Sequence, residues 1–212
     1  MNPMSDHDST PQDLRPQQPA GDETALVVVD MQNSYFEFPE LAAQKEAVLA
    51  GVNELLAAAR DAGRPVVLVR TEHARDRSTW TLNMLADDQG FAFPGTEQAR
   101  LLDGLDLDGV DAVEVVKTRD SGFHATDLDA QLRTRRVGHV LLCGISTHSC
   151  VAQTAIAAFA HQYHAAVAVD AVASEAPDLS DALLAFLHEE MRQPLLGRED
   201  AVALMLEGGA TA

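Results

Sequence analysis

Four uninterrupted apolar runs, Ala25–Val29, Pro65–Val69, Val137–Cys143 and Ala165–Val169, constrain what this chain can fold into. A fainter one, Ala112–Val116, follows the turn-like stretch Asp106–Asp111. A strand with one wet face alternates apolar and polar residues. Runs without alternation belong to strands buried on both faces, which needs a parallel sheet covered by helices on each side. Helical patterns lie between them. From Glu40 to Ala62, Val48, Val52, Leu55 and Ala59 form one apolar stripe that Gly63 ends. Asp127–Arg135, Cys150–Gln162 and Leu179–Met191 follow, then a short strand near Pro194–Leu196 and a last helix to about Glu207. The expected fold is α/β: a three-layer, doubly wound sheet, mostly parallel, of five to six strands.

Charge narrows the partners. With 33 acidic against 15 basic side chains the net charge is −18, which disfavours nucleic acid and anionic lipid surfaces. No apolar run approaches the roughly 20 residues needed to span a bilayer. Two cysteines, Cys143 and Cys150, cannot build a disulfide framework and suit a reducing cytoplasm. Residues 1–22 hold four of the nine prolines among Asp, Gln and Ser, without apolar periodicity or the features of a signal peptide. They are expected to be a disordered tail ahead of one domain, 23–212.

Ligands of such sheets sit beyond the carboxyl ends of the strands. There the runs lead to Asp30, Arg70, Lys117, the segment Gly144–Cys150, and Asp170. Cys150 follows a small, polar stretch and opens a helical pattern. A thiol at a helix start beside an ammonium is expected to have a lowered pKa. A lone cysteine can equally be a packing residue, a reading that suits Cys143 within Val140–Cys143 better. Lys117 stands out because 13 of the 15 basic residues are arginine, and a compact ammonium is hard to replace by a planar guanidinium. Asp30 can be a general base, a partner for Lys117 or a loop cap. For Asp170 the cap reading is the better one.

Three motifs carry a resemblance: Asp30-Met31-Gln32-Asn33; Lys117 with Ser121-Gly122-Phe123 and Thr126-Asp127-Leu128; and Gly144-Ile145-Ser146-Thr147-His148-Ser149-Cys150-Val151. Over roughly Thr24–Leu206 the chain resembles the isochorismatase-like cysteine hydrolases, which include nicotinamidases, N-carbamoylsarcosine amidase and biuret hydrolase. The resemblance implies a catalytic triad of Asp30, Lys117 and Cys150. It also implies a cis peptide between Ile145 and Ser146, and an oxyanion hole from the backbone N–H groups of Ser146 and Cys150. The implied reaction is hydrolysis of a C–N bond in a small molecule through a thioester. Tyr35, Trp80 and Phe123 become candidate substrate-binding walls, each alternatively a core residue and Trp80 equally a core or interface one, and a homodimer or homotetramer is implied.

One departure concerns metal. The nicotinamidase motif places a metal-binding Asp-x-His after the second strand, where this chain reads Thr71-Glu72-His73. His73 is therefore expected at the surface or rim, with no metal or other cofactor, and nicotinamide is disfavoured as a substrate. Two other functions fit the same fold: an acid-catalysed vinyl ether hydrolase that needs no thiol, and a non-enzymatic small-molecule binder.

Overall fold

The computed structural model describes residues 21–208; the expected tail lies, up to residue 20, outside them. The strands are β1 (Glu23–Val29), β2 (Val66–Thr71), β3 (Ala112–Lys117), β4 (Val137–Ile145), β5 (His164–Ala173) and β6 (Leu195–Leu196). They form one six-stranded sheet in the order β3-β2-β1-β4-β5-β6, and every neighbouring pair is parallel. The helices are α1 (Pro39–Ala42), α2 (Lys45–Ala62), α3 (Leu82–Asp87), α4 (Leu128–Thr134), α5 (Ala152–Ala160), α6 (Pro177–Glu189) and α7 (Arg198–Glu207).

Central strand β1 shows why its run carries no polar break. Leu26 and Val28 face the layer holding Val52 and Leu55 of α2 and Met205 of α7. Ala25, Val27 and Val29 face the other layer, with Leu132 of α4, Ala155 of α5 and Leu187 of α6. Each large aliphatic side chain taken out of water this way stabilises the fold by roughly 1.5–3 kcal/mol before entropy is charged against it. A polar residue on either face would lie unpaired in a core.

Several boundaries differ from the sequence expectation. The first helical pattern is interrupted at Ala43 and Gln44, giving α1 and α2, and Gly63 then closes α2 in a left-handed conformation (φ 65°). The expected helix at Cys150 begins only at Ala152, after a π-helical turn, Thr147–Val151. Strand β5 continues past Asp170, because its pairing with β4 shifts register beyond Leu142 and resumes at Gly144–Val172. Asp170 is thus not at a strand end. Its Oδ2 accepts from the Arg198 N–H at 2.8 Å, a cap on the first turn of α7. Arg70 lies within β2 and pairs with Glu72 and Glu114.

The long connection between β2 and β3 contains α3, whose first turn is capped by Thr81 Oγ1 accepting from the Met84 N–H. Its aromatic residues are half-buried against one another and the first loop. Trp80 packs on Phe93, and Phe91 packs on Tyr35 and His73. Leu82, by contrast, is 84% exposed. Among the described residues no helix is long and apolar enough to cross a membrane.

Candidate active site

Where β1 ends, Asp30 leaves the sheet with a φ of 49°, a left-handed conformation that aspartate adopts more readily than branched residues do. Its backbone is held by Val69 O, which accepts the Asp30 N–H, and by the Gln32 N–H, which donates to Asp30 O. Lys117 closes β3, two strands away. Cys150 lies in the π-helical turn after β4. That turn can follow so closely because Gly144 has no Cβ; one built there would meet Val29 O at 2.1 Å. The register of a parallel sheet therefore brings three residues from distant sequence to one point.

There Lys117 Nζ lies 2.7 Å from Asp30 Oδ2 and donates to Thr71 Oγ1 at 2.7 Å and to Cys150 Sγ at 3.3 Å. Thr71 Oγ1 in turn donates to Asp30 Oδ1 at 2.9 Å and accepts from the Tyr35 hydroxyl at 3.0 Å. One hydroxyl thus uses its single proton and both lone pairs. Gln32, fully buried, donates to Thr71 O and Ala99 O while its own oxygen accepts the Thr71 N–H. These bonds hold the end of β2 against the first loop. Asp30 Oδ2 is close to the ammonium but off the line of a hydrogen bond, so this buried oxygen has no aligned donor.

The electrostatics follow from burial. Asp30 and Lys117 are 0% and 1% exposed at their side chains. Burial alone would depress the Lys117 pKa, yet the neighbouring Asp30 and Cys150 raise it above the ordinary lysine value. For Cys150 the lowered pKa expected from sequence is corrected. Burial, reinforced by the Asp30 charge, pushes the thiol up to about 12 despite Lys117 beside it. The Tyr35 hydroxyl is likewise held well above its usual range by burial and by Asp30, so it stays a neutral donor. The resting site is a neutral thiol against a preformed ion pair.

The other sequence candidates divide. The Ile145–Ser146 peptide is cis. The Ser146 hydroxyl donates to Glu175 Oε2 at 2.7 Å, and no protein acceptor takes its backbone N–H among the described residues. Tyr35 reaches the site through Thr71. Phe123 does not: it stacks on His161 at 4.7 Å and packs near Tyr163, at the far end of α5 from Cys150. Trp80 stays within its own loop, its indole N–H donating to Ala74 O at 2.9 Å.

His73 is 2% exposed, which corrects the surface expectation. Its Nδ1 faces Thr79 O at 3.1 Å, and burial lowers its pKa. Among the described residues no three His, Cys, Asp or Glu side chains converge as a metal site would require. Sequence reasoning missed Thr71, Gln32, Phe91 and Asp120. In sequence Thr71 is visible only as a departure from the metal-binding motif, and hydroxyl and amide groups carry no sequence signal of the partners they meet after folding.

A doubly wound parallel sheet gathers an acid, a lysine and a thiol at its carboxyl edge, an arrangement that suits a hydrolase. The Isochorismatase domain family matches residues 24–196, and the chain belongs to this family of hydrolases. Among its relatives is a probable inactive nicotinamidase of Arabidopsis thaliana, 33% identical over 75% of this chain and 85% of that protein. A second is the ureidoacrylate amidohydrolase RutB of Pseudomonas savastanoi pv. phaseolicola, 30% identical over 74% of each. Among solved structures, N-carbamoylsarcosine amidase from Thermoplasma acidophilum superposes with a TM-score of 0.70 at 25% identity. It covers 84% of this chain and 97% of its own.

Proposed function

We propose that this protein hydrolyses a C–N bond of a small amide, carbamoyl or ureido compound through a thioester on Cys150. The observation that carries this reading is the ammonium of Lys117 held at once against Asp30 and Cys150 Sγ, at 2.7 and 3.3 Å. Because the resting thiol is protonated, the base must act as the bond forms. Asp30 takes the thiol proton on its unpaired oxygen while Sγ attacks the carbonyl carbon. Lys117 stabilises the sulfur as its negative charge grows. The backbone N–H groups of Ser146 and Cys150 receive the oxyanion.

Asp30 then gives its proton to the leaving nitrogen, and the C–N bond breaks to leave the thioester. Water attacks this acyl group as Asp30 accepts its proton, and when the C–S bond breaks and the acid departs Asp30 returns that proton to Sγ, restoring the thiol and the carboxylate. Tyr35 keeps Thr71 oriented, and Thr71 keeps Asp30 oriented. The two amidase relatives support the C–N assignment. Nicotinamide is not the substrate assigned, because Thr71, standing where the nicotinamidase motif has its metal-binding acid, is engaged with Asp30, Lys117 and Tyr35.

Ammonia release from a panel of amides and ureas tests the reading, with mass spectrometry of the quenched enzyme to detect the acyl adduct. Turnover with an adduct on Cys150 is expected, and Cys150→Ala should lose both. A variant that keeps its turnover would overturn nucleophilic catalysis and favour the acid-catalysed vinyl ether reaction, which leaves Asp30 in place and needs no thiol. The two free thiols support a cytoplasmic site of action. Exposed Leu82 and Leu85 on α3 support a homodimer or homotetramer, for which sedimentation equilibrium is the direct measurement.

A further inference from the structure

Asp120 lies in the loop after β3. Its Oδ2 accepts from Gln153 Nε2 at 2.8 Å, which fixes the carboxylate on the first turns of α5. Among the described residues its Oδ1 has Cys150 Sγ as its one neighbour at hydrogen-bond range, at 4.0 Å, the long limit for a thiol. The triad does not use this group. Asp30 is buried beside the ammonium of Lys117, whereas Asp120 is exposed.

Other charges nearby are committed. Glu175 accepts from the Ser146 hydroxyl and faces His148 Nε2 at 3.7 Å. The Arg119 guanidinium donates to the backbone carbonyls of Thr79 and Thr118. Lys117 is spent on Asp30, Thr71 and Cys150. Among the described residues Asp120 is thus a carboxylate beside Cys150 Sγ with no ion-pair partner.

Resting on the amidohydrolase reading above, we propose that Asp120 is a specificity-determining residue that binds an N–H or ammonium group on the substrate atom bonded to the scissile carbonyl. A carbonyl carbon poised about 3.3 Å from Sγ allows an attached nitrogen to reach Oδ1 at roughly 2.9 Å. Ureido and carbamoyl compounds offer such a nitrogen, as do amides with an α-amino group. A carboxylate in that place would meet Asp120 head-on. The substrate class is thus neutral or cationic and rich in N–H donors, in keeping with a chain of net charge −18.

Charged thiol reagents test this without requiring turnover. Rates of Cys150 modification are measured with methanethiosulfonates bearing a trimethylammonium, a sulfonate or a methyl group, each referred to a free thiol at the same pH and salt. Wild type should prefer the cation over the anion, and Asp120→Asn should lower that ratio about tenfold while the neutral reagent changes far less. Asp120→Ser serves if the asparagine variant does not fold. In hydrolysis, Asp120→Asn should raise KM for an α-amino amide or a urea more than for a plain acyl amide. Modification with an unchanged ratio would overturn the role of Asp120 alone. A Cys150 that none of the three reagents modifies would overturn its role as nucleophile, and the role of Asp120 with it.

Discussion

Cys143 and Cys150 sit on one continuous segment, the first within β4 and the second just past it. Both are buried, at 0% and 3% exposure, and burial raises both thiols above the ordinary cysteine range. By exposure or acidity alone the two are nearly indistinguishable. What separates them is direction and company. Cys143 points into the layer of α2 and α7 among apolar side chains. Cys150 belongs to the opposite layer and meets Lys117, Ser149 and Asp120 at its sulfur. The proposed nucleophile is thus marked by the charged and polar groups at its sulfur, not by a lowered resting pKa.

The sharpest way to break this contrast is to delete each thiol. Cys150→Ala should reduce hydrolysis by about 10⁴-fold or more with thermal stability nearly unchanged. Cys143→Ala should do the reverse, keeping turnover and losing about 1–2 kcal/mol through the small cavity it leaves. Steady-state kinetics and denaturant melts on both variants decide the matter. Equal kinetic losses would mean that the two thiols differ only in packing.

Lys117 sharpens the comparison next. Lys117→Met leaves the Asp30 carboxylate buried without its countercharge, so a loss of about 3–5 kcal/mol in stability is expected. Lys117→Arg keeps the charge, yet a planar fork cannot face Asp30, Thr71 and Sγ as three donors on one nitrogen do. A loss of about 10²-fold or more in kcat should follow. Near-normal kcat in the arginine variant would show that charge alone suffices.

A smaller effect is expected from Thr71→Val, which removes the donor to Asp30 and strands the Tyr35 hydroxyl. Burying those groups without partners costs about 1–3 kcal/mol, and kcat should fall roughly tenfold to a hundredfold through misorientation of Asp30. Rescue of kcat by Thr71→Ser would assign the effect to the hydroxyl rather than to shape.

The thiols also leave a mark in pH dependence. An unfolded thiol ionises near pH 8.5, whereas folded Cys150 holds its proton up to about 12 and Cys143 is raised further. Between those values the folded state binds more protons than the unfolded one. Stability is therefore complete below about pH 8.5 and falls as pH rises, by up to about 1.4 kcal/mol per unit for each thiol. Melts from pH 8 to 10 should be flatter in the Cys143→Ala/Cys150→Ala double variant. For the same reason alkylation of Cys150 by iodoacetamide should climb steadily over this range, and a plateau near pH 7 would contradict a protonated resting thiol.

The smallest expected effect is that of a chelator. Dialysis against EDTA should leave turnover unchanged, since His73 turns Nδ1 to Thr79 O and Thr71 replaces a ligating acid. Loss of activity restored by Zn²⁺ or Mn²⁺ would overturn this.

The layered sheet was legible in the sequence because strands buried on both faces leave short apolar runs, here separated by helical patterns and turn residues. Asp30, Lys117 and Cys150 were legible for a related reason: each interrupts such a run, or follows it, at the sheet edge where ligands bind. Phe123 packs on His161 and Trp80 within its own loop, contacts that the sequence did not reveal because an aromatic carries no directional signal. Likewise, the left turn at Asp30 and the π-helical turn at Cys150 depend on strands that arrive from far along the chain. Apolar periodicity and strand-end chemistry are local properties, so the residue order determined the architecture and nominated the three reactive groups. The ion pair, the protonated thiol and the threonine that joins them were decided by tertiary structure. Their distances and desolvation exist only once β1, β2, β3 and β4 lie side by side in register.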